Sequence, residues 1–172
     1  MNNEVESLIV KANQNSGNRE EYLKILEDVM KKLYLCPKLY IALSRNAVNP
    51  DTLRSKPLIS DKDKYPALYI FTSLDKGINW CNYYRNQYNG MPLLAEAKKD
   101  DNDFKNLFST AKAIGVDMLF INEGADYACL PLKDFIGING IEYSMSVSGD
   151  EIERILNSDS VNIELPYMDI IR

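Results

Sequence analysis

Two short runs of almost unbroken apolar residues constrain this chain more than anything else in it. One is residues 67–71, Ala-Leu-Tyr-Ile-Phe. The other is residues 116–121, Val-Asp-Met-Leu-Phe-Ile. A strand with one wet face alternates apolar and polar residues. A strand covered on both faces does not, so each run predicts a central strand. Thr72-Ser73 follows the first run and Asn122-Glu-Gly124 follows the second. Between them fall a helix ending at Tyr84, an Asn89-Gly90 turn, a strand over residues 91–97 and a helix over residues 102–114. Strand and helix thus alternate from residue 67 to 135, which predicts an α/β fold. We expect a mixed sheet of about five or six strands, helices packed on it, and an N-terminal helical extension. The two apolar strands should be parallel neighbours, or one strand apart, with their carboxyl ends together.

The rest of the chain fits one domain of 172 residues, long enough to bury a core without staples. Residues 1–33 read as two helices covering one sheet face. The first carries Val5, Leu8, Ile9 and Ala12 at helical spacing, and a polar break follows over 13–18. Asn18 caps the second helix, with Glu21 three residues on. Residues 34–135 form the sheet core and 136–172 a strand-helix-strand extension. Pro37 forces the strand around it to an edge or to a start beyond the proline. Residues 46–65 read as a long loop with a short strand at Leu58 and Ile59. Gly115 suits the left-handed position that ends a helix. Ile141, Tyr143, Met145 and Val147 alternate with polar residues, so they predict a half-wet strand. An edge there, or near Pro37, would permit homo-oligomers.

Composition removes whole classes of function. The chain has no histidine, so histidine triads, histidine metal sites and histidine pH switches are excluded. Cys36, Cys81 and Cys129 are far apart and odd in number, which points to reduced thiols. The net charge of −5 argues against a nucleic-acid surface. The first ten residues lack a basic stretch and a long apolar core, so they do not read as a signal peptide. No apolar run is long enough for a membrane span. Cytoplasm is the expected compartment, and no cofactor is expected.

Several residue groups bear on chemistry. Ser73-Leu-Asp-Lys76 is a literal S-x-x-K at a strand-to-helix junction, the spacing at which a lysine takes a serine proton in penicillin-recognising enzymes. That supports a small hydrolase-like enzyme using Ser73 and Lys76, with Asp117 as a third member that should lie far away, at the entry of its strand. The partner Lys-Thr-Gly motif is missing, and serine commonly caps helices. The run Asp100-Asp-Asn-Asp103 suggests calcium, but positions six and twelve from Asp101 are Asn106 and Lys112 instead of Gly and Glu. It reads as an acidic helix start. Trp80, Tyr83, Tyr84 and Arg85 form an aromatic and cationic group, a candidate interaction surface, with core packing and a partly exposed rim as the alternative that the usual placement of Tyr and Trp favours. Thr72, Ser73, Asn122 and Gly124 follow the central strands, where open α/β sheets bind ligands. They are the candidate ligand site, with turn and cap roles as the alternative.

The order Pro37, Thr72-Ser73, Gly115-Val-Asp117, Asn122, Gly124 and Leu130-Pro131 resembles the SseB-type domain, the enhanced-serine-sensitivity family. The resemblance covers about residues 33–135. Glu123 stands where that family usually has proline. Members have no settled biochemical activity, and the resemblance supplies no catalytic residue. With no histidine, no metal-ligand cluster and no paired acid/base signature, the chain reads as a non-catalytic binding or protein-interaction module, with a protein partner or a small polar ligand near Thr72, Ser73, Asn122 and Gly124.

Overall fold

The computed structural model describes residues 2–62, 65–84, 92–100, 102–124, 126–142 and 168–171. Strands β1 (Lys38–Leu43), β3 (Ile59–Lys62), β4 (Tyr65–Phe71), β5 (Leu93–Lys98), β6 (Met118–Ile121) and β7 (Ala128–Pro131) form one mixed sheet. Its order is β5-β1-β4-β6-β7, with β3 paired to β4. Strand β2 (Arg54–Ser55) pairs separately with β8 (Met168–Asp169). Among the described residues, five α-helices pack on the sheet: α1 (Asn2–Gln14), α2 (Arg19–Tyr34), α3 (Leu74–Tyr84), α4 (Asn102–Ala113) and α5 (Leu132–Ile138).

The two apolar runs are adjacent parallel strands, β4 and β6, in the register Ala67 to Met118 through Ile70 to Ile121. Both faces of the sheet are buried, which explains the missing alternation. Leu68, Ile70, Leu119 and Ile121 point into one core with Val5, Ile9, Val29, Leu33, Phe108 and Phe135. Helices α1, α2, α4 and α5 therefore cover that face. Tyr69, Phe71 and Phe120 point the other way, onto Trp80 and Cys81 of α3. The N-terminal helices are thus part of the core, since Val5, Ile9 and Ala12 are fully buried.

Local signals act where expected. The Asn18 side chain accepts the Glu21 N–H at 3.3 Å and starts α2. Gly115 takes φ +89° just after α4, a conformation that glycine adopts without strain. Strand β1 begins after Pro37 and lies inside the sheet, between β5 and β4. Of the two placements expected for Pro37 the second holds, because β1 starts past the residue that cannot donate, and the edge proposed there is absent. At β5, Ile170 bridges Ala95, and the Ile171 N–H donates to the Leu94 carbonyl at 2.8 Å. The expected loop over 46–65 contains a 3₁₀ turn (Arg45–Ala47 opens it), β2 and β3. The Asn89-Gly90 turn and the strands and helix expected over 143–167 lie outside the described residues.

Phe108 is fully buried and meets Phe104 edge-on at 5.3 Å and Phe135 at 4.7 Å between ring centroids. Phe108→Ala should cost about 3–5 kcal/mol, the range for truncating a packed core aromatic. Urea denaturation followed by the fluorescence of Trp80, the only tryptophan, measures it.

Candidate functional site

Because β4 and β6 are parallel neighbours, the residues after them meet. Asn122 sits at φ +58°, a left-handed geometry that asparagine tolerates better than most residues. This turns its side chain back toward β4. Asn122 Oδ1 accepts the buried Thr72 N–H at 2.9 Å, and Asn122 Nδ2 donates to Thr72 Oγ1 at 2.9 Å. The Thr72 hydroxyl then donates its one proton to Glu6 Oε1 at 2.6 Å. Glu6 Oε2 takes the Lys76 ammonium at 3.3 Å. Asn2 Nδ2 donates to the Thr72 carbonyl at 2.5 Å. The amino-terminal turns of α1 therefore seat on the crevice between the strand ends. Thr72 and Asn122 are about 1% exposed.

Of the four expected ligand residues, all come together here, but Thr72 and Asn122 spend their polar atoms on each other and on α1. Ser73 is half-buried, and its Oγ accepts the Lys76 N–H at 3.4 Å, the cap geometry of α3. Lys76 Nζ points to Glu6 and makes no hydrogen bond to Ser73 Oγ among the described residues. The S-x-x-K spacing thus yields a helix cap and an ion pair. Gly124 takes φ +93° and ends the turn; a Cβ there would lie 3.7 Å from Trp80 Cδ1. Asp117 lies at the opposite end of β6, where it pairs with Lys112 at 3.3 Å.

Trp80 is a core residue instead of a surface one, at 2% exposure. Its ring lies 4.9 Å from Tyr69, 5.4 Å from Phe71 and 5.1 Å from Tyr84. Its helical position faces the sheet. Its indole N–H donates to Glu123 Oε2 at 2.9 Å. Glu123 is itself buried, and a buried carboxylate needs such donors. Sequence reading treats Glu123 as a turn residue only. Nothing local signals its pairing with a tryptophan 43 residues away. Tyr84 is half-buried and Tyr83 is 73% exposed. Arg85 lies outside the described residues.

The same helix borders an open groove. Leu74, Ile78 and Cys81 of α3 face Leu93, Leu94 and Ile171 across a space of about 480 Å³, with Arg45 and Val48 at its rim. Ile78 is 41% exposed. Burial pushes the Cys36 and Cys81 thiols up to about 11, so both are neutral and poorly nucleophilic near pH 7. Among the described residues, no group of three or more Cys, Asp or Glu is placed to hold a metal ion. No described helix is long and apolar enough to cross a membrane. Searches against family models, curated proteins and solved structures found no match. The SseB-type resemblance therefore rests on the motifs themselves.

Asn122→Ala removes the acceptor of a buried N–H and leaves alanine at positive φ. It should cost about 2–4 kcal/mol in urea denaturation, the sum of one unsatisfied buried donor and a left-handed backbone without its side-chain support. Asn122→Gly, which relieves the backbone alone, should recover a part of this.

Proposed function

We propose that this protein is a non-catalytic binding module of the SseB type, which takes its partner on the α3 flank. One observation carries the reading. The reactive side chains at the sheet's carboxyl ends are all engaged inward, through Thr72, Asn122, Lys76 and Glu6 of α1. A hydrolase would need Ser73 held by a base, and Lys76 is held by Glu6 instead. The α3 flank, in contrast, offers apolar side chains to solvent at Ile78 and Tyr83. Aromatic and aliphatic groups of that kind anchor partners. The three free cysteines suit a reducing compartment such as the cytoplasm.

The test compares wild type with Ser73→Ala, Lys76→Met and Ile78→Glu. Ester, amide, glycoside and phosphate substrates are assayed, together with capture of bound material from the host extract. Wild type should turn over none of the substrates. Ser73→Ala and Lys76→Met should retain whatever wild type captures. Ile78→Glu should lose it while keeping its circular dichroism spectrum. Turnover that disappears in Ser73→Ala contradicts the reading.

A further inference from the structure

The groove beside α3 has a composition that goes further than its openness. Leu74, Ile78, Cys81 and Leu94 line it, and Arg45 is the charged side chain among its described lining residues. Among the described residues, no acidic side chain lines it. Arg45 is exposed and has no ion pair among the described residues, whereas Arg54 nearby in sequence is paired with Asp169 at 3.2 Å. About 480 Å³ falls within the size range of small-molecule sites, which combine an apolar lining with few polar groups.

Building on the binding-module reading, we infer that this groove holds an unbranched aliphatic chain with a carboxylate head. The chain lies along Leu74, Ile78 and Leu94, and the carboxylate meets the Arg45 guanidinium. Charge and shape select this occupant. A guanidinium fork matches a carboxylate in a bidentate pair. One arginine balances one negative charge, and a phosphate monoester carries closer to two. The protein's net charge of −5 does not oppose this at contact range, because charges beyond about 8–10 Å are screened at physiological salt. The aliphatic floor rewards chain length. A fully buried methylene contributes about fourfold in affinity, and one half-exposed in a groove about twofold.

The experiment titrates octanoate, decanoate and dodecanoate, below their micelle concentrations, into the whole protein. Decanol and decyltrimethylammonium serve as uncharged and cationic controls. Binding is followed by calorimetry and by the methyl NMR signals of Leu74, Ile78 and Leu94. Binding should be saturable and 1:1, with affinity rising about two- to fourfold per methylene. Arg45→Met should lower decanoate affinity about tenfold or more and leave decanol unchanged. Ile78→Glu should abolish binding with the fold intact. Three outcomes overturn the inference: no saturable binding, equal affinity for all three head groups, or shifts confined to methyls away from the groove. The binding-module reading survives each of them if capture from extract still depends on Ile78.

Discussion

The side-chain bond between Thr72 and Asn122 is the interaction on which the arrangement of this molecule turns. Two parallel strands that leave the sheet side by side need their terminal amides satisfied. Here one residue in left-handed geometry does so across 50 residues of sequence. With the Thr72 amide taken by Asn122, its hydroxyl is oriented to donate to Glu6. Glu6 in turn holds Lys76 in the first turn of α3. Strand ends, the start of α3 and the start of α1 are thereby tied by one hydrogen-bonded chain. Each bond in it contributes about 1 kcal/mol net. Leaving any of its buried members unpaired costs more.

That chain decides which surface is open. In an open α/β sheet the crevice beyond the carboxyl ends is the default ligand position. This protein fills it with its own first helix. Val5, Ile9 and Ala12 of α1 are fully buried, so seating Asn2 and Glu6 is coupled to packing the main core. The opposite sheet face is covered by α3, whose Trp80 fills the space over Tyr69 and Phe71. A Cβ on Gly77 would approach Leu94 Cδ1 at 2.9 Å, so a larger residue there would make the Leu94 side chain shift. The groove between α3 and β5 begins just outside that contact.

What could be read from the sequence follows physical range. Strands β4 and β6, their parallel adjacency and the remoteness of Asp117 follow from unbroken apolar runs and from helices needing a sheet to cover. The Asn18 cap and the Gly115 stop are local chemistry within a few residues. The mixed α/β sheet was legible for the same reason. Asn2 and Glu6 were not, because their partner Thr72 is 70 and 66 residues away and nothing in a polar helix start marks them. Trp80 could be read as core or as interface, because its spacing with Tyr83 and Tyr84 is helical and spacing alone does not say which side faces the sheet. Glu123 was hidden by its turn setting. The groove depends on a C-terminal segment returning to β5 through Ile170 and Ile171, a contact with no sequence pattern of its own.

Amide hydrogen exchange at Thr72 and Asn122 tests the closed crevice most directly. The Thr72 N–H is bonded to Asn122 Oδ1 and the Asn122 N–H to the Ile70 carbonyl, both beneath α1. These two amides should exchange as slowly as those in the middle of β4 and β6, requiring sub-global opening. Glu6→Ala should speed both without changing exchange at Phe108 on the other side of the core. Exchange at Thr72 and Asn122 as fast as in an exposed turn, in the wild-type protein, would mean that the strand ends are open to solvent and that α1 does not close them.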